Sequence, residues 1–571
     1  MKSYTILFTG ILALALGACS TDYETVPVEQ FTQEFVFSET DSIGEKAKEF
    51  LNNIYSSMQN GHNRVGGDYL DAATDDAISS SLTQNDVFNL AMGNYNSMNR
   101  IASDMEWGEY YRTFREVNTF VNNIDRVPLI MTYNGGQKMN KAWKAEARFL
   151  RAYHYFNLLK RYGGVPIVPE TPFILGDNVE LPRSTFSECV EYIVDELDEI
   201  KDSLRTRPVD NPQSDAHVVT KGAALALKSR VLLYAASPLF NGGNIDAQNE
   251  LTGYTDYSQQ RWARAADAAM EFIDELPYYQ LSPNFGNVFI EEGNPEVIFF
   301  RQGGRGRGVE LTNAPIGYSA PNDADGRTSP TQNLVDAFPM LDGKPITDNT
   351  SIYTYSFQDQ YRNRDPRLKL TVLHNNSLWL NADVETFLGG KDNPNAAIQK
   401  TKTSYYMRKF MGFFENVDDY TDVRHDWVIF RYAEILLNYA EALNEASGPT
   451  DAVYDAIKQL RARAGIDPGA DSMYGLETGI SADEMREIIQ NERRIEMAFE
   501  EHRYWDLRRW KLASEVYNNP LNGLLITRSA GTLNYNLQEV LQPSFQENRY
   551  FYPIPYSEVV KNSNMIQNPG W

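Results

Sequence analysis

Chemistry in this chain would have to come from a short supply of reactive side chains. There are two cysteines, Cys19 and Cys189, and six histidines, His62, His154, His217, His374, His425 and His502. No two histidines have the H-E-x-x-H spacing that sets a pair of imidazoles around zinc on one helix face, and two cysteines make no zinc cluster. No G-x-S-x-G elbow exposes a serine nucleophile. His154 and His502 fall on helix faces that are otherwise apolar, which reads as core packing. Gly303–Gly308, GGRGRG, lacks the Gly-Lys-Ser/Thr of a phosphate loop and reads as a flexible basic loop. Asn322–Gly326, NDADG, alternates oxygen ligands before a turn glycine but has no downstream glutamate, so Ca²⁺ is only weakly supported and no other cofactor is expected. Paired carboxylates for glycoside hydrolysis carry no signal, because 77 acidic residues guarantee chance pairs.

The most unusual segment is Glu492–Trp510, ERRIEMAFEEHRYWDLRRW. On a helix, Ile495, Phe499, His502 or Arg503, Leu507 and Trp510 line one face, and Glu500–Arg503 and Asp506–Arg509 pair at three-residue spacing. An arginine cluster for an anionic ligand is one reading. The acids nearly match the arginines, so a helix docked by ion pairs and aromatic packing is the better one.

Cys19 offers chemistry of another kind. Lys2 precedes an apolar run, Ile6–Leu16, and then small residues lead to the thiol. That order describes a secretory signal, too short for a spanning helix. Leu16-Gly17-Ala18-Cys19 resembles the bacterial lipobox, in which cleavage before the cysteine leaves its thiol to be lipidated; the alternative is an ordinary signal with a chance cysteine. No later stretch is apolar over the length a membrane helix needs. With Cys19 lipidated, Cys189 has no disulfide partner. A net charge of −24 argues against a nucleic-acid partner and leaves neutral ligands open. The 34 tyrosines suit either helix packing or stacking on sugar rings.

Helical periods dominate the elements that must position any site. They run over Trp107–Val127, through Trp143 and Leu158 to a stop at Gly163-Gly164, and over Cys189–Leu204. Helix pairs follow at Lys221–Ala236 with Trp262–Leu276, and at Arg431–Ala446 with Ala452–Ala464. Their alternation of small and aromatic positions is similar to tetratricopeptide repeats, and a generic helical bundle is the plainer alternative. Ser237–Gln260, Leu281–Gly326 and Asp348–Tyr420 lack a helical period, and Val297–Phe300 and Leu368–Leu373 read as short strands. Long aromatic loops on a helical scaffold commonly form a recognition face.

Five segments, in order, then carry a resemblance. Glu146–Pro166 (EARFLRAYHYFNLLKRYGGVP), Arg364–Leu368 (RDPRL), Arg431–Asn444 (RYAEILLNYAEALN), Glu492–Trp510 and the close Tyr552–Trp571 (YPIPYSEVVKNSNMIQNPGW) are similar to signatures of the SusD/RagB family of outer-membrane nutrient-binding lipoproteins. The resemblance implies a mainly α fold in which tetratricopeptide-like helix pairs support a ligand face of long irregular loops and a few short strands. It divides the chain into a signal peptide (1–18), a lipidated tether (19–40), a helical region (41–235), a loop-rich region with a helix (236–330) and a C-terminal region (331–571). It implies no catalysis. The role it implies is capture of oligosaccharides at the outer membrane, facing outside, as the lid of a SusC-like TonB-dependent transporter. A surface glycoside hydrolase and a ligand-free helical adaptor are the alternatives. The family shares no ligand motif, so the candidate ligand residues are local ones. Asp76 closes Ala72–Asp76, which resembles the entry to a ligand-face loop, and Asn94 and Tyr95 follow it. Tyr318, Asn322 and Arg327 precede Thr328–Phe338, another family-like run. Trp107, at the start of an apolar helix, is expected in the core.

Overall fold

Small residues on buried helix faces let the scaffold pack closely. The computed structural model describes residues 32–207, 209, 216–315, 324–393, 399–415 and 423–571. Helices α1 (Glu45–Ser56), α2 (Gly108–Asn123) and α3 (Met139–Tyr162) pack on one another. Next come α4 (Phe186–Ile200), α5 (Lys221–Ala236), α6 (Gln259–Glu275) and α7 (Tyr432–Ser447), each against its predecessor. Helices α8 (Asp451–Ala464) and α9 (Ala482–Glu496) both lean on α7, and α10 (Arg503–Arg509) closes the series. Buried Ala265, Ala266, Ala268 and Ala269 on α6 meet the alanine-rich α5. Capping boxes, Thr185 with Glu188 and Ser481 with Glu484, start α4 and α9 by satisfying first-turn amides. Gly163 ends α3 at φ 75°, where a Cβ would also lie 2.3 Å from the Leu251 carbonyl oxygen. This is the mainly α, helix-pair fold the sequence implies. No helix among the described residues is long and apolar enough to cross a membrane.

Strands β1 (Ala77–Ser79), β2 (Val297–Arg301), β3 (Thr328–Pro330), β4 (Trp427–Arg431), β5 (Leu521–Ser529) and β6 (Thr532–Leu541) form antiparallel ribbons, β1 with β3, β2 with β4 and β5 with β6. The first two ribbons tie the helical, loop-rich and C-terminal regions together over one continuous core. Packing begins inside the stretch expected as tether: Phe37 is buried, its ring 5.7 Å from Phe50 and 5.8 Å from Phe120.

Three local readings change. Leu368–Leu373 is a turn of helix, Leu368–Thr371, and then a two-residue strand, Val372–Leu373, on Tyr406–Met407. The β5–β6 hairpin was not anticipated, although Leu533, Tyr535 and Leu537 alternate and Ala530-Gly531 turns with both φ positive. The GGRGRG stretch is held rather than free: Gly303 donates to Asp426 at 2.7 Å and Arg305 pairs with Glu292.

Glu492–Trp510 is two helices. Helix α9 stops at Glu496, Phe499 (φ 65°) and Glu501 (φ 60°) turn the chain, and α10 resumes at Arg503. The break sends acids of one run to different partners. Asp506 pairs with Arg509 as the spacing implies, but Glu500 meets Lys409 and Arg431, and Arg503 meets Asp75. Around it lies a buried ion network in which Arg367, Lys409, Arg431, Arg461 and Arg463 face Glu296, Asp365, Glu492, Glu496 and Glu500. Arg431 alone reaches Glu296 at 2.7 Å, Glu496 at 2.6 Å and Glu500 at 2.7 Å.

Burial alone would raise the carboxyls of Glu492, Glu496 and Glu500; the arginines overcome it and hold all three below the usual glutamate range. Their contribution to stability is therefore complete above the unfolded glutamate range near pH 4.3 and is lost as pH falls through the depressed folded values. Glu496→Gln leaves Arg431 and Arg463 short of charge in the interior. It is expected to cost about 3–5 kcal/mol in urea unfolding at pH 7, with a loss that shrinks as pH drops below about 4.

Candidate functional site

The β1–β3 ribbon carries a polar shelf at the loop end of the molecule. Its anchor is Asp68, a buried carboxylate that accepts from Arg327 Nε at 3.1 Å, Ser79 Oγ at 2.8 Å and Asn85 Nδ2 at 2.7 Å. Burial raises the Asp68 carboxyl above the ordinary aspartate value, and Arg327 and these donors oppose that shift. Arg327 Nη2 donates to the Gly66 carbonyl at 2.7 Å. Gly67 explains the close approach: at φ 91° it has no Cβ, and one would sit 3.1 Å from Arg327 Nη2. Ser80 Oγ and Gln399 Nε2 both reach the Asp325 carbonyl, and Lys402 N donates to Ser329 Oγ. Thr83, Gln84, Arg307, Asp325 and Lys402 are exposed around this frame. Amide, hydroxyl and charged groups held in fixed positions are the groups that hydrogen-bond hydroxyl-rich ligands.

The sequence candidates separate. Arg327 is the structural centre of the shelf, with its side chain 18% exposed. Asp76 lies beneath it, immediately before β1, where its buried carboxylate pairs with Arg494 at 2.7 Å; neighbouring Asp75 takes Arg494 and Arg503. Asn94 is exposed, and its amide nitrogen donates to the Asn89 carbonyl at 2.8 Å. Tyr95 is buried, its ring stacked 5.5 Å from Trp571 and edge-on to Tyr552 at 5.9 Å, so its face is already covered. Tyr318, Asn322 and Cys19 lie outside the described residues. Trp107 packs against Tyr111 and Tyr162 at the start of α2, as expected, while also lining an apolar cleft of about 470 Å³. Burial holds the His154 and His62 imidazoles down to about 3. No group of acids, cysteines and histidines among the described residues could hold a metal ion.

Sequence reasoning missed Asp68, Ser79 and Asn85. Gly66-Gly67-Asp68 was the available signal, a tight turn delivering an acid, but its cation lies more than two hundred residues away at Arg327. Asp68→Ala would leave the Arg327 guanidinium without its counter-charge. The expected cost is about 1–3 kcal/mol in chemical denaturation, whereas Asp68→Asn, which keeps an acceptor, should cost less.

The fold is a mainly α scaffold of helix pairs carrying long irregular loops, and comparison specifies the class. Residues 295–571 match the family model described as "SusD family", and residues 31–233 match one described as "Starch-binding associating with outer membrane". The chain belongs to the SusD family. SusD-like protein P2 of Formosa agariphila is 25% identical over 592 residues, covering 100% of both chains, and SusD-like protein P38 of the same organism is 24% identical over 583 residues, covering 99% of both. Among solved structures, a SusD-like protein from Bacteroides fragilis superposes with a TM-score of 0.74 at 26% identity, covering 93% of this chain and 98% of that one. A SusD-like carbohydrate-binding protein from the same species gives 0.71 at 23% identity over 92% and 99% of the two chains.

Proposed function

We propose that this protein is a glycan-binding lipoprotein of the outer membrane that captures oligosaccharides without turning them over and passes them to a TonB-dependent, SusC-like transporter. The observation that carries the reading is the polar shelf around Arg327, set on a chain that matches SusD-family proteins over its whole length. Support for the ligand class comes from relatives described as carbohydrate-binding and laminarin-binding, and from the family description that names starch and the outer membrane. The net charge of −24 favours neutral glycans over polyanions.

In this reading Arg327 and its neighbours Gln84 and Asp325 hydrogen-bond sugar hydroxyls, Asn94 and Asn322 extend the contact, and Tyr318 stacks on a ring face. Asp76 supports the face from beneath, and Tyr95 packs against Trp571 and Tyr552. The lipid on Cys19 holds the protein beside the transporter, over which it acts as a lid on the outer side of the membrane.

Titration calorimetry against a panel of neutral oligosaccharides tests this. A bound glycan should be recovered intact after prolonged incubation, and Tyr318→Ala should weaken binding roughly 3- to 10-fold, the worth of one aromatic–sugar stack. Release of shortened products by the pure protein would favour a hydrolase. Silence across the whole panel would favour an adaptor that binds no small ligand.

A further inference from the structure

A second concave surface lies on the helical scaffold. Residues of α5, α6, α7 and α9, with the chain before α6 and after α10, enclose a cleft of about 720 Å³. No residue of the Arg327 shelf lines it. On α9, Asp483, Arg486, Glu487 and Gln490 recur at three- and four-residue steps and so share the face that borders the cleft, while Met485 and Ile489 on the opposite face are buried. Tyr257 and Trp262 border it from the other side.

Part of this lining is committed to the fold. Arg486 holds Glu445 through two nitrogens, both at 2.6 Å, and reaches Asp483 at 2.5 Å. Asn241 donates to the Ala236 and Ser258 carbonyls at 3.1 and 3.0 Å. Trp510 gives its indole N–H to Glu441 at 2.7 Å.

Four groups are not committed. Tyr257 is 62% exposed, and neither its ring nor its hydroxyl has a partner among the described residues. Gly242 lets it lie against the cleft wall: at φ 88° the glycine has no Cβ, which would sit 2.8 Å from that of Tyr257. Trp262 is only 4% exposed, yet its indole N–H makes no hydrogen bond to a described residue, although an enclosed donor left unpaired is costly. Glu487 forms no ion pair and the Gln490 amide no hydrogen bond among the described residues.

We propose that this cleft is a second sugar site, which takes one neutral pyranose with a ring face on Tyr257 and its hydroxyls on Glu487, Gln490 and the Trp262 N–H. A carboxylate accepts from two hydroxyls, an amide both donates and accepts, and an indole donates, which is the set that adjacent sugar hydroxyls need. The cleft has the volume of a small-ligand site. Glu445, Asp483 and Glu487 outnumber Arg486, so an acidic sugar is repelled. Trp510 is 6% exposed and Trp262 less, so Tyr257 alone offers an open ring: a platform for a flat ligand, not the several faces that cage a cation. The choice of a sugar rests on the glycan-binding reading above, whereas the cleft stands on its own geometry. Because its contacts are side chains on hydrogen-bonded helices, occupancy is read at the indoles rather than at the helix amides.

Indole fluorescence and calorimetry of the full chain, titrated with glucose, galactose, mannose and cellobiose and separately with choline, test the site. At least one sugar should give a saturable change. Tyr257→Ala should weaken it roughly 3- to 10-fold, Tyr257→Phe should keep it, and Tyr318→Ala at the shelf should leave it as it is. Tyr257 is exposed, so these variants are expected to fold. Absence of a saturable change with all four sugars overturns the proposal, as does a change that Tyr257→Ala leaves untouched. Sugar binding lost in Tyr318→Ala but kept in Tyr257→Ala upholds the shelf and overturns this site; the reverse upholds this site and removes the shelf. Choline bound more tightly than every sugar makes the cleft a cation site and overturns the proposal as well.

Discussion

Arg431 holds this structure together at a point where hydrophobic packing would be easier to build. Its guanidinium joins Glu296, Glu496 and Glu500 in the interior, and through them Lys409, Arg367, Arg461 and Arg463. Such networks gain little net stability, because desolvation consumes most of the Coulombic attraction. What this one fixes is geometry. It joins β2, β4, α8, α9 and the loops around Asp365 and Lys409, elements that come from widely separated parts of the chain.

The consequence reaches the polar shelf. Glu496 precedes the turn at Met497–His502 and Glu500 lies within it, and the same turn presents the Phe499 amide to Asp71 at 2.9 Å. Arg494 and Arg503, on either side of it, grip Asp75 and Asp76. Those aspartates run straight into β1, and β1 with β3 holds Ser79, Arg327 and the Asp68 cradle. The scaffold thus positions the shelf through charged links, which resist rotation better than apolar contacts.

Much of this was legible in the chain. Helix α5 follows the expected Lys221–Ala236, and α3 ends at the expected Gly163, because apolar periodicity and a left-handed glycine are local signals. The ion-paired nature of Glu492–Trp510 was legible from its matched charges. Its break was not: positive φ at Phe499 and Glu501 is imposed by what those residues meet, Asp71 and Arg64, which are some four hundred residues distant in sequence. The same limit applies to the site. Arg327 stood out as a loop arginine, but Asp68 became visible only through the fold. Tyr95, an inviting stacking residue by composition, is covered by Trp571 at the opposite end of the chain.

Hydrogen–deuterium exchange with and without a glycan identified by calorimetry tests the central claim most directly. Ligand binding on the shelf should slow exchange at Gly66–Asn85, Arg305–Thr328 and Gln399–Lys402 while leaving α5 through α9 unchanged. Protection confined to the helical scaffold, with those three segments unaffected, would contradict it.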